Sequence, residues 1–194
     1  MPTFEETTMP RLMLVDDEPN ILSSLRRCIN AIPAEAFGGK AIVETFMAPA
    51  QALARAQEIA FDLVISDYRM PDMDGVVFLS RLIEIQPNIS RLILSGYADL
   101  HALVGAINRV QIFRFIAKPW DDHELETAIA QALAQRHLVM ENQRLADLLR
   151  VQQGRLTRQE VELKRLEELH PGLTKVKRGA DGSIDLDLDM DDEP

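Results

Sequence analysis

The sequence predicts an α/β fold, a five-stranded parallel doubly wound sheet followed by a long helix and an acidic tail. Three observations predict it. Short apolar runs alternate with helix-period segments through roughly the first two thirds of the chain. Runs such as Leu63-Val64-Ile65 and Leu92-Ile93-Leu94 are continuously apolar, as strands are when helices cover both faces of a parallel sheet. Four of the runs end in polar residues, at the strand ends where such sheets bind ligands.

The elements follow in order. Arg11 to Val15 is the first strand, closed by Asp16-Asp17-Glu18-Pro19, and Asn20 to Ile32 is a helix with apolar residues at Ile21, Leu22, Leu25, Cys28, Ile29 and Ile32. Strand Ala41 to Phe46 precedes helix Pro49 to Ile59, and strand Asp62 to Asp67 precedes helix Gly75 to Ile85. Strand Arg91 to Ser95 precedes helix Asp99 to Val110, and strand Ile112 to Ala117 leads into a helix from Asp122 onward. After residue 137 the chain is rich in Leu, Glu, Gln and Arg, has no proline until Pro171, and reads as a continued helix. Asn142, Leu149, Leu156 and Leu163 take one heptad position, and Leu138, Leu145, Gln152, Gln159 and Leu166 the other core position of a coiled coil. Gly154 falls on the outer face of that register and is where the helix bends or loosens, since glycine costs about 1 kcal/mol relative to alanine there. His170-Pro171-Gly172 stops it. The expected organisation is an N-terminal arm over 1–9, a folded domain over 10–137, a helical coiled-coil extension over 138–170 that makes a homodimer, and a flexible acidic tail over 171–194.

Composition removes several function classes. The formal net charge of -10 makes the chain a poor general binder of nucleic acid or anionic membranes, whose attraction comes from Lys and Arg. No run of apolar residues is long enough to span a bilayer, and Met1-Pro2-Thr3-Phe4-Glu5-Glu6 lacks the basic region and apolar core of a secretion signal, so a cytoplasmic location is expected. The single cysteine, Cys28, rules out an internal disulfide and reads as a small buried hydrophobe. The tail alternates as Ile184-Asp185-Leu186-Asp187-Leu188-Asp189 and reads as a solubilising segment whose apolar face could add to a partner's sheet edge.

The chemistry gathers at the strand ends. Asp16 and Asp17 follow the first strand, Asp67 the third, Ser95 the fourth and Lys118 the fifth, all on one edge of the sheet. Three carboxylates placed together repel one another unless a cation neutralises them, and a hard divalent ion with oxygen ligands, Mg2+ above all, does so. A carboxylate beside such an ion can attack phosphorus to give an acyl phosphate, while a lysine and a serine hydroxyl suit phosphoryl oxygens.

Four motifs carry a resemblance: Leu14-Val15-Asp16-Asp17-Glu18-Pro19, Ile65-Ser66-Asp67-Tyr68-Arg69-Met70-Pro71-Asp72-Met73-Asp74-Gly75, Leu94-Ser95-Gly96 and Phe115-Ile116-Ala117-Lys118-Pro119-Trp120. In this order and spacing they resemble the receiver domain of two-component response regulators over about residues 10 to 137, and imply a flavodoxin-like fold. The resemblance implies that Asp67 accepts a phosphoryl group from a sensor histidine kinase or phosphotransfer protein. It implies that Asp17 ligates Mg2+ directly, that Asp16 acts more through water, and that the main-chain carbonyl of Arg69 completes the protein's share. Ser95 would bond one phosphoryl oxygen and move toward it, Lys118 would pair with another, and Phe115 would rotate inward in response. Lys118-Pro119 falls where the family often has a cis peptide, and Arg69 and Tyr97 where it tunes phosphoryl lifetime.

Other residues have structural readings. Asp72 and Asp74 suit the start of the helix at Gly75. His101, His123, His137 and His170 lack metal-ligand spacing, Trp120 packs at the start of the last helix, and Met70 and Met73 offer a soft contact surface beside Pro71. The leading expectation is a phosphorylation-switched protein, not an enzyme beyond its own phosphorylation and dephosphorylation, whose output passes through self-association or an unknown effector protein. An aspartyl-nucleophile phosphohydrolase is disfavoured because Arg69 stands where a second acid is wanted and no cap domain is present. A DNA-binding transcription regulator is disfavoured because the residues after 137 show no paired short helices with a basic recognition face.

Overall fold

The computed structural model describes residues 9–34, 40–96, 110–154 and 156–171. Five strands, β1 (Arg11–Val15), β2 (Ile42–Phe46), β3 (Leu63–Asp67), β4 (Ser90–Ser95) and β5 (Arg114–Ala117), form one parallel sheet in the order β2-β1-β3-β4-β5. Three helices, α1 (Pro19–Ala31), α2 (Pro49–Glu58) and α3 (Gly75–Ile85), follow the first three strands, and α4 (Asp122–Gln152) follows β5. The helix expected over Asp99 to Val110 falls almost wholly outside the described residues, as do the arm, the acidic tail, Tyr97 and His101.

Successive strand residues point to opposite faces, so an unbroken apolar run feeds two cores at once. Leu12 and Leu14 join Leu63, Ile65, Leu92 and Leu94 beneath α1 and α4, where Leu25, Ile29, Leu125 and Ile129 close the layer. Met13, Val15, Val64 and Ile93 face the other way, onto Ala52 and Ala56 of α2 and Phe78, Leu79 and Leu82 of α3. Proline opens both α1 and α2, where its missing N–H costs nothing. Asp74 caps α3 by accepting from the Val77 N–H at 2.8 Å, the helix-start role its sequence position implies. At the end of α3 the buried Gln86 side chain accepts from the Phe61 N–H at 2.8 Å and donates to the Ala56 and Ile59 carbonyls, which fixes the turn into β3.

The extension departs from a single continuous helix. α4 ends at Gln152, Gly154 adopts φ +67, and a new helix, α5 (Arg158–Leu169), starts at Thr157. The cause is local. Glycine reaches a positive φ without the Cβ clash that other residues meet, and Thr157 with Glu160 forms a reciprocal capping box that specifies a helix start. Returned along α4, α5 places the Leu169 carbonyl 3.2 Å from the Ala60 N–H and the Lys164 ammonium 3.6 Å from Asp147. The leucines of the heptad register remain largely exposed in this hairpin. Cys28 is only half-buried, its thiol 3.1 Å from an Asp122 carboxylate oxygen, and Met70 lies in the core rather than on a contact surface. Trp120 packs against the face shared by α1 and α4, as its position implies.

Candidate functional site

Strand order fixes where a site can form. The connection from β1 leads to one edge of the sheet and that from β3 toward the other, so their carboxyl ends flank a switch point, with Val15 level with Ser66 and Asp67 level with Leu94. Ser95 sits level with Ala117, which brings Lys118 to the same edge. The structure thus brings Asp16, Asp67, Ser95 and Lys118 together, with Asp17 one residue beyond Asp16.

One ammonium holds the cluster. Lys118 Nζ lies 2.7 Å from Asp16 Oδ2 and 2.6 Å from Asp67 Oδ1. The other oxygens are taken by the main chain: Asp16 Oδ1 accepts from the Glu18 N–H at 2.9 Å, and Asp67 Oδ2 from the Arg69 N–H at 2.9 Å. Both acids are buried, and Asp17 is half-buried. Burial pushes the Asp67 carboxyl above its usual range; Lys118 and the Arg69 N–H pull it back, and the Asp16 charge adds to the rise. Burial also pulls the Lys118 ammonium down, but its bonds to Asp16 and Asp67 outweigh that and hold it above the usual lysine value. Two acids therefore share one positive charge, which leaves the cluster negative and receptive to a further cation.

The backbone around Asp67 is equally constrained. The Ser66 hydroxyl donates to the Asp67 carbonyl at 2.8 Å, and the Gly75 N–H donates to the Tyr68 carbonyl at 2.8 Å. A Cβ at position 75 would come within 2.2 Å of the Asp67 carbonyl oxygen, so the start of α3 approaches the acid as closely as only glycine allows. Sequence reasoning missed this positioning role, although a glycine at the first position of a helix was its available signal. The Lys118-Pro119 peptide is cis, and the Lys118 N–H donates to the Ser95 carbonyl at 2.8 Å. Ser95 is buried, and Phe115 is partly buried against the core on the α2 and α3 face.

The donor chemistry of this edge fits a hard divalent ion. Carboxylates and main-chain carbonyls are the oxygen ligands Mg2+ prefers, and each carboxylate oxygen keeps a lone pair after accepting one hydrogen bond. Among the described residues no three His, Cys, Asp or Glu side chains are already gathered as a metal shell, and the Lys118 ammonium lies between Asp16 and Asp67. The exposed His123, His137 and His170 lie outside this cluster. A cavity of about 850 Å³ lies at the opposite end of the sheet, under α5, and is lined by Phe61, Gln86, Pro87, Arg136 and Lys164 among others.

Comparison with known proteins places this geometry. Residues 12–130 match the family described as the response regulator receiver domain. The chain is 32% identical over 135 residues to the hydrogenase transcriptional regulatory protein HoxA of Cupriavidus necator, covering 69% of this chain and 26% of that protein. The C4-dicarboxylate transport transcriptional regulatory protein DctD of Rhizobium meliloti is 30% identical, over 70% of this chain and 28% of its own length. The chain therefore spans about a quarter of the length of these curated relatives. The signal receiver domain of an HD domain-containing protein from Pseudomonas fluorescens Pf-5 superposes with a TM-score of 0.65 at 33% identity, covering 73% of this chain and 98% of that one. The transcriptional names of the two relatives weigh against setting nucleic acid aside on composition alone. Receiver domains generally take phosphoryl groups with Mg2+ from histidine kinases or phosphotransfer proteins, and as a family are not catalytic enzymes. Among the described residues no helix is long and apolar enough to cross a membrane.

Proposed function

This chain belongs to the response regulator receiver domain family, and from that premise we propose that it is a phosphorylation switch whose acceptor is Asp67. The observation that carries the reading is the convergence of Asp16 and Asp67 on the Lys118 ammonium at the carboxyl edge of the sheet. The Asp67 carboxylate attacks the phosphorus of a histidine-bound phosphoryl group; an O–P bond forms as the N–P bond breaks, and the electron pair stays with the donor's imidazole. Asp17, Asp67 and the Arg69 carbonyl would hold Mg2+, with Asp16 acting more through water, and the ion would offset the charge on the phosphoryl oxygens. Lys118 keeps its proton beside two carboxylates and pairs with one phosphoryl oxygen, while the Ser95 hydroxyl donates to another.

The readout is association. Ser95 moves toward the phosphoryl group, Phe115 repacks into the space this opens, and the surface near β5 and α4 changes for a partner protein. Because β5 leads directly into α4, the receiver over 10–137 is coupled to the extension over 138–170, which forms a homodimer; the acidic tail over 171–194 remains a solubilising segment. The test is incubation with acetyl phosphate and Mg2+ followed by intact mass measurement. Wild type gains one phosphoryl group, Asp67→Asn gains none, and chelation of the metal abolishes the gain. Equal labelling of the variant and wild type would overturn the assignment.

A further inference from the structure

We propose that the turn marked by Gly154 and Thr157 is a hinge, and that the leucine stripe on α4 and α5 is the docking face for a second copy of this chain once the hairpin straightens into one helix. The inference rests on the self-association reading above and deepens it. Its first support is continuity of register across the break. Leu138, Asn142, Leu145 and Leu149 on α4 lead through Gln152 and Leu156 to Gln159, Leu163 and Leu166 on α5, with alternating steps of four and three residues. A sequence selected only for two separate antiparallel helices has no reason to keep phase through a turn; a two-stranded coiled coil requires it.

The second support is that the hairpin leaves these residues without cover. Leu138, Leu145, Leu149, Leu163 and Leu166 are all exposed, so folding α5 back does not bury the stripe. The third is that α5 sits imperfectly on the base of the receiver. The cavity of about 850 Å³ separates them, the buried Nε of Arg136 at its wall has no hydrogen-bond partner, and the joining contacts include the Ala60–Leu169 hydrogen bond and a Lys164–Asp147 pair at 3.6 Å. A buried donor left without a partner favours leaving this state.

The occupant is a copy of the same chain because the stripe is self-complementary: six leucines of the nine seam positions meet their equivalents in register. Asn142 at a seam position favours a parallel two-stranded pairing in which the two asparagines face each other. In the straightened register Gly154 lies on the outer face, where a side chain would meet nothing even now within 4 Å. Two local signals hold the hinge bent, the positive φ of Gly154 and the Thr157–Glu160 capping box, beside the Ala60–Leu169 and Lys164–Asp147 contacts. Removing those two signals should release it.

The experiment uses the full chain, unphosphorylated, in three forms: wild type, Gly154→Ala with Thr157→Ala, and that double variant with Leu163→Glu added. Sedimentation gives the dimer constant and small-angle scattering the largest dimension. Each of the two hinge substitutions favours the straight helix by a factor of about five per chain, so the double variant should dimerise at least about a hundredfold more tightly. Its helix from Asp122 to Leu169 would span about 70 Å, against about 45 Å for α4 alone, and the scattering should lengthen accordingly. Leu163→Glu should return it to monomer. A double variant that dimerises at wild-type dimensions overturns the hinge while leaving self-association intact, and one that lengthens but ignores Leu163→Glu overturns the seam. A chain that stays monomeric throughout overturns both. Phosphoryl uptake on Asp67, read by mass on the same three proteins, shows that the receiver is folded and tests the acceptor separately.

Discussion

Two regions of this molecule carry leucines and use them in opposite ways. In the sheet, Leu12, Leu14, Leu63 and Leu92 are 0% exposed, each met by a helix that the chain itself supplies. On the hairpin, Leu138 is 63%, Leu149 57% and Leu163 51% exposed. The doubly wound domain is closed: among the described residues, both faces of its sheet find cover within the same chain. The hairpin is open, and its apolar face is unsatisfied surface of the kind that marks a place where a partner docks.

Truncating the same residue type in the two regions breaks this comparison most sharply. Leu92→Ala removes a buried side chain from the central part of the sheet, and should lower unfolding stability by about 3 kcal/mol or more, as leucine deletions in packed cores do. Leu149→Ala, at a half-open position of α4, should leave the stability of the monomer within about 0.5 kcal/mol, as surface substitutions do. Urea titration of both at low protein concentration, where association does not contribute, measures the contrast directly. Equal losses would mean that the hairpin leucines are packed in solution and that the open face does not exist.

Sequence reached the closed region more fully than the open one, and the reason is physical. An unbroken apolar run such as Leu63-Val64-Ile65 has one economical home, a strand covered on both sides, and the strand ends then follow because the polar residue after the run marks where burial stops. That logic placed Asp16, Asp67, Ser95 and Lys118 on one edge. It did not reveal that Lys118 bridges both acids, since strand order fixes which residues meet but not which oxygen the ammonium takes. The return of α5 was legible only in part: Gly154 announced a weak point, whereas the Leu169–Ala60 hydrogen bond joins positions over a hundred residues apart and leaves no periodic trace. Gly75 was the other omission, and it yields the next prediction. Gly75→Ala would press a methyl group against the Asp67 carbonyl, at 2.2 Å before relaxation, and should cost about 1–3 kcal/mol as overpacking does. Because the shift falls on the main chain of Asp67, the rate of phosphoryl uptake from acetyl phosphate should fall as well. An unchanged rate with reduced stability would show that the closeness of α3 serves packing alone.

The smallest expected effect comes from a charge network at the far edge of the sheet, away from the acid cluster. Glu44 on β2 holds Arg11 at 2.7 Å and Arg55 at 2.9 Å. Partial burial pushes its carboxyl up, but the two guanidinium groups outweigh this and hold it below the usual glutamate range. A carboxyl whose value is lower in the folded chain than in the unfolded one binds fewer protons when folded, so it stabilises the fold above the unfolded value. That contribution is lost as pH falls from about 4.3, the ordinary glutamate value, through the lower folded one. Glu44→Gln should therefore unfold at lower urea than wild type at neutral pH, by a small margin because the pair is partly solvated, and the two curves should converge below pH 4. Curves that stay parallel through that range would assign the loss to the amide's poorer hydrogen bonds with Arg11 and Arg55 rather than to charge. The acid cluster at the other edge is distinguished by the opposite sign, since burial there raises Asp67, so lowering pH favours its protonated form in the folded chain instead of withdrawing a stabilising charge.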